Sequence, residues 1–328
     1  EVRRRLDEAL RQALDVEDDA AVYPLLASVA TMLVDSRIRL GSFPDAMPTL
    51  DMLRRHAQAQ EGASPRRAEQ AFQALERIAS GVGFAVVQER LREGDPDALR
   101  VVESLDVAAT RFLVGQIRAT EGMATRVRFA RTIARGGANA AAVLIEATQQ
   151  TTAPSDVLRL MQILPSAAPE KMVEGALDGL LRHAAIAVRK RAALMLAELS
   201  TPRAGGLILG ALREEREPTV RATFAESLGV LRHKDGVQAL LDLAEGRSES
   251  DDVRSEACIA LGRIADRGAI PVLVRLSSGG GGGLSSLFRA PVREVRVAAT
   301  RALGSYPTDL AAREALRHAL EDPLPAVR

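Results

Sequence analysis

The chain has 328 residues, 47% of them hydrophobic and 27% charged, with 44 Lys plus Arg set against 43 Asp plus Glu. That balance is typical of globular chains and lacks the general basic excess of a dedicated nucleic-acid binder. The single cysteine, Cys258, excludes an intramolecular disulfide, and no apolar run approaches the roughly 18–20 residues that span a bilayer, so the expectation is a cytoplasmic protein with no membrane segment.

Residues 1–63 read as long helices without a repeated consensus: Val2–Val16, Ala20–Leu40 and Pro44–Gln60. From 64 to 184 helix starts recur in a degenerate pattern, at Ser64-Pro-Arg-Arg67, Asp95-Pro-Asp-Ala-Leu-Arg100, Thr125-Arg-Val-Arg128 and Ser155-Asp-Val-Leu-Arg159. From 185 to 328 the pattern is regular. A Val-Arg pair returns at Val188-Arg189, Val220-Arg221, Val253-Arg254, Val295-Arg296 and Val327-Arg328. A fixed period of thirty-odd residues marks stacked structural units. Each full unit opens with a stripe of core positions at helical spacing: Val188, Ala192, Met195, Leu196 and Leu199 in the first, Val253, Ala257, Ala260, Leu261 and Ile264 in the third. A Pro, Asp or Gly break follows, as in Thr201-Pro202 and Asp266-Arg-Gly268. A second apolar helix comes next, as in Gly205–Leu212 and Val237–Leu243. The interval between Val253 and Val295 is longer than the others. The excess falls in a Gly-rich insertion at 277–290, whose five consecutive glycines favour a mobile loop.

The segment Asp251-Asp-Val-Arg-Ser-Glu-Ala-Cys-Ile-Ala-Leu-Gly-Arg-Ile-Ala-Asp266, followed by Ala269–Val274, resembles a HEAT repeat of the short type found in bacterial and phycobilisome-lyase-like proteins. The resemblance implies an all-α fold, a right-handed α-α superhelix of about nine helix pairs. It also implies a non-catalytic scaffold that binds protein partners along its concave face. Two alternatives come with it: a nucleic-acid-binding protein like the HEAT-type DNA glycosylases, and a HEAT-like lyase. The absence of Trp, and tyrosines only at 23 and 306, argue against the former; nothing in the sequence identifies a tetrapyrrole pocket for the latter. Deoxyhypusine hydroxylases are HEAT-like metal enzymes built on His-Glu pairs, but none of His56, His183, His233 and His318 is followed by Glu. All four read as helix-end or exposed residues.

No catalytic, cofactor or metal residues are expected. Polar positions on second helices give the partner-binding candidates Arg213, Glu214, Asp242, Glu245, Arg275 and Arg317, on the expectation that second helices form the inner surface. The insertion adds Leu284, Leu287, Phe288 and Arg289, exposed on an arm or folded back over neighbouring helices. Arg189, Arg221, Arg254, Arg296 and Arg328 are expected to form a structural ladder, each bonding carbonyls or acids of an adjacent turn, with Glu217, Asp251, Asp252 and Asp322 as candidate acids. The chain begins on Glu1 and stops on the Arg of a repeat entry, which reads as a piece of a longer protein. Helix Asp309–Leu320 is then expected to leave an apolar side open to further repeats, another domain or self-association.

Overall fold

The computed structural model describes residues 2–17, 19, 21–58, 65–278 and 292–328, as nineteen α-helices and two 3-10 turns without a strand among those residues. The chain divides into two compact units, Glu1–Val173 and Glu174–Arg328. None of the described helices is long and apolar enough to cross a membrane.

The first unit contains α1 (Val2–Val16), α2 (Val22–Arg39), α3 (Phe43–Ala57), α4 (Pro65–Ser80), α5 (Phe84–Glu93), α6 (Pro96–Ala119), α7 (Met123–Arg135), α8 (Gly137–Gln150), α9 (Pro154–Met161) and the short α10 (Leu164–Ala167). Their ends follow from local chemistry. Asp19 accepts from the amides of Ala21 and Val22 at 2.7 and 3.3 Å, so the second helix opens at Val22 and not at Ala20. Gly94, at φ 89°, ends α5 in a left-handed conformation that a Cβ would strain. Asp95 then caps α6, accepting from the amide of Asp97 at 2.8 Å, and Pro96 fills the first helical position, where no amide is needed.

α11 (Glu170–Leu180) crosses the boundary into the second unit, which continues with α12 (Ile186–Leu199), α13 (Ala204–Glu214), α14 (Pro218–Val230), α15 (Val237–Glu245), α16 (Asp251–Ile264), α17 (Ile270–Ser277), α18 (Arg293–Leu303) and α19 (Leu310–Ala319). This is the all-α class of stacked helix pairs that the period implies. Four of the five Val-Arg pairs sit in the first turn of α12, α14, α16 and α18. The Val at each start is fully buried: Val188, Val220, Val253 and Val295.

The two helical layers of this unit are not equally spaced. α14 packs on α16, and α16 on α18, far more extensively than α15 packs on α17. Glycine makes the close approach. A Cβ on Gly229 would lie 2.7 Å from the Cα of Ala260, and one on Gly262 would lie 2.8 Å from the Cα of Ala302. Both glycines stand nine residues after their Val, and both alanines seven after theirs. Backbone therefore meets backbone along the Val-Arg layer, while α13, α15, α17 and α19 stand further apart. A stack with one tight layer curves toward it, so the Val-Arg helices form the inner side of this unit. That reverses the expectation that second helices line the inner surface.

Candidate interaction surface

Three of the Val-Arg arginines, Arg189, Arg221 and Arg296, tie the turn before their helix to a later turn. Arg189 Nε donates to Glu215 at 2.6 Å and its Nη2 to the other oxygen at 3.2 Å, while Nη1 donates to the carbonyls of His183 and Ala184. Arg221 repeats the fork on Glu249, at 3.1 and 2.6 Å, and donates to the carbonyl of Glu215 at 2.7 Å. Glu215 thus receives one arginine on its carboxylate and the next on its carbonyl. Burial raises its pKa, but Arg189 and the amides of Glu217 and Arg216 outweigh that and leave it lowered. Arg296 pairs with Asp322 and reaches the carbonyl of Ser277. Arg254 differs: it donates to the carbonyl of Ala244 at 3.2 Å, and its nearest carboxylate, Asp251, is 3.6 Å away and half-exposed. By register its forked partner would fall in the insertion, and 279–291 contains no acid. Arg328 is exposed. Of the acids suggested by the sequence, Asp322 and Asp251 meet arginines of the series. Glu217 instead accepts from the Thr219 hydroxyl, and Glu215 and Glu249 take the forks.

The six second-helix candidates lie on the wider-spaced layer and are all exposed. Four are engaged locally: Glu214 with Arg182 at 2.9 Å, Glu245 with Arg275, and Asp242 with Gln238 at 2.9 Å. Arg213 and Arg317 have no such partner among the described residues. Leu284, Leu287, Phe288 and Arg289 lie outside the described residues. At the chain's end, Leu310 and Leu320 are exposed while Val327 is buried.

The inner layer presents a different set. Counting from each Val, the residues two and six on are part-buried or exposed, and those ten on are exposed, in all four repeats. The first row reads Lys190, Ala222, Ser255, Val297; the second Leu194, Glu226, Ile259, Arg301; the third Glu198, Val230, Arg263, Ser305. Core positions keep their character from repeat to repeat, whereas these change in charge and size. Glu256 flanks the rows with its pKa raised, first by burial and then by the charges of Glu226 and Asp252. The signal was present in the sequence as the complement of the apolar stripe. Reading it required knowing which helix faces inward.

Cys258 is buried on the core side of α16, and burial pushes its thiol up to about 12, which removes thiolate chemistry. Tyr306, also buried, donates to the carbonyls of Leu261 and Asp266 at 3.1 and 3.0 Å and so ties α18 to the end of α16. Among the described residues no group of three His, Cys, Asp or Glu is placed to hold a metal ion.

His56 is a helix-end residue, in the last turn of α3, as one of the two expected placements has it, but its side chain is not exposed. It is buried on α3, and four helices meet at it. An ionised Asp15 on α1 can only accept, so His56 Nε2–H donates to it at 3.1 Å, and the Tyr23 hydroxyl of α2 donates to Nδ1 at 2.9 Å. Arg67 of α4 donates to the carbonyls of Leu14 and Asp15, both at 2.9 Å, and stands 5.4 Å from the centre of the Tyr23 ring. Burial foremost lowers the His56 pKa, with Arg67 adding to it against the opposing hydrogen bond to Asp15; burial likewise raises that of Tyr23. No periodic pattern links residues 15, 23, 56 and 67, so this cluster is not legible in the sequence.

A family model described as HEAT repeats matches residues 173–247 and 207–279. No curated protein matches the chain. Solved structures similar to it include an engineered protein, at 19% identity over 98% of this chain and 95% of the other, TM-score 0.35. Human deoxyhypusine hydroxylase in complex with glycerol aligns at 17% identity over 82% of this chain and 99% of that one, TM-score 0.34. A circular tandem repeat protein aligns at 14% over 96% and 87%, TM-score 0.25. The matched span holds α12 to α16 with the forks of Arg189 and Arg221, the buried Val starts and the close-packed Gly229 and Gly262; residues 173–279 are HEAT repeats.

Proposed function

We propose that the chain is a non-catalytic scaffold that holds a protein partner against the Val-Arg layer of its second unit. One observation carries this reading: three parallel rows of accessible residues cross α12, α14, α16 and α18 at fixed register, and their chemistry changes from helix to helix while the framework beneath stays constant. A surface free to vary over an invariant frame suits recognition. Val230, 52% exposed, and Ile259 put apolar contact near the middle of the rows, with Glu198, Glu226, Arg263 and Arg301 around them. Apolar centres with charged rims are how protein interfaces divide affinity from specificity.

The test compares two variants with the wild type in affinity purification from the source cell. Val230→Glu with Arg263→Glu places two acids on the inner rows. Arg213→Glu with Arg317→Glu places two on the outer layer. Both sets lie on accessible sites, so melting temperature should stay within a few degrees of wild type. The inner variant is expected to lose the partner and the outer one to keep it; the reverse pattern would return the binding surface to the second helices. Salt-sensitive retention of duplex DNA by wild type alone would instead support the nucleic-acid reading.

A further inference from the structure

α2 is apolar on two opposite sides. One stripe, Tyr23, Ala27, Ala30, Val34 and Ile38, is buried against the first unit. At about 100° per residue, the other stripe points the opposite way. It consists of Val22, Leu25, Val29 and Met32, exposed by 40, 68, 46 and 63%, with Leu40 beyond them at 76%. Single exposed apolar residues are ordinary in any protein. A run over three turns at alternating steps of three and four is a seam that fits another helix. No charged residue interrupts it from Val22 to Val34.

We propose that this seam is a self-association face, on which two copies of the chain pair α2 against α2, antiparallel, about a two-fold axis at Val29. Charge fixes both the occupant and the direction. Acids stand at the entry of the helix, Glu17 and Asp19, and a base at its end, Arg39, which pairs with Asp35 one turn earlier yet keeps a side chain 55% exposed that can take a second acid. Asp19 and Arg39 are each ten residues from Val29, about 15 Å along the axis. An antiparallel pair crossing at Val29 therefore sets Asp19 of each copy beside Arg39 of the other, at both ends. The same register sets Leu25 against the second copy's Leu33 and Met32 against its Leu26. Parallel pairing would set acid against acid and base against base. A face complementary to itself under a two-fold axis is the simplest basis for a closed dimer. This inference is independent of the Val-Arg surface and is read on different residues.

The experiment uses the full chain. Sedimentation across the micromolar range is expected to show reversible doubling of mass. Leu25→Glu with Met32→Glu should raise the dimer dissociation constant at least about tenfold while leaving helical circular dichroism and melting unchanged. Val29→Cys should link two copies by a disulfide under mild oxidation, because residues on the axis meet themselves. Ser36→Cys should not, since its two copies would stand roughly 20 Å apart. Native Cys258 is buried and does not compete. A wild-type chain that stays monomeric overturns the proposal. So does a dimer that survives the double substitution, which would point to another face such as the chain's C-terminal end. Equal cross-linking at positions 29 and 36 would overturn the register.

Discussion

At the scale of single residues, the arginine series makes graded demands on the fold. Arg221 holds two carboxylate oxygens and the carbonyl of the preceding turn, and both it and Glu249 are about four-fifths buried. Arg221→Met leaves Glu249 half-desolvated without its partner, a loss of about 2–3 kcal/mol. Arg254→Met should cost about 1 kcal/mol, because Arg254 has one carbonyl and a distant, half-exposed acid. Denaturant titration of the two variants checks the order; equal losses would mean that the forks add nothing beyond the carbonyl bonds. His56 supplies a pH dependence. Its folded-state pKa lies below the ordinary 6.5, so the unfolded chain takes up the proton first. Stability from this group is complete above about 6.5 and falls as the pH drops through and below it. Asp15, lowered first by the hydrogen bond from His56, adds a loss of the same sign below its ordinary 3.8. Melting measured from pH 7.5 to 5 should decline in the wild type and flatten in His56→Gln. The arginine series was legible in the sequence because it repeats. The His56 cluster was not, because Asp15, Tyr23, His56 and Arg67 converge only when four helices pack.

At the scale of helices, spacing decides which side faces inward. Gly229 and Gly262 let α14, α16 and α18 approach to backbone contact. Gly262→Ala sets a methyl 2.8 Å from the Cα of Ala302, and the helices must separate or shift, at a cost of about 1–3 kcal/mol. Gly206→Ala, at an open site on α13, should be neutral or slightly stabilising through helix propensity. Thermal melts of the pair test the claim, and equal behaviour would remove glycine as the cause of the tight layer. Helix existence and phase were legible from the apolar stripe, and in the first unit α1 matches the expected Val2–Val16. Which of two helices lines the inner side was not, since the pattern records which residues are buried and not how far apart their backbones lie.

At the scale of the molecule, the period from Val188 onward revealed repeated helix pairs, and residues 173–279 match the HEAT-repeat model. The division at Val173 was not legible, because it falls inside α11, within the stretch 64–184 where the helix starts follow only a degenerate pattern. The proposed function rests on the rows that the repeats carry past one another on the Val-Arg layer. The most direct test installs a photo-activated cross-linking residue at Val230 in one preparation and at Arg213 in another, then irradiates each in the source cell. Partner adducts are expected from position 230 and not from 213; adducts from 213 alone would contradict the account.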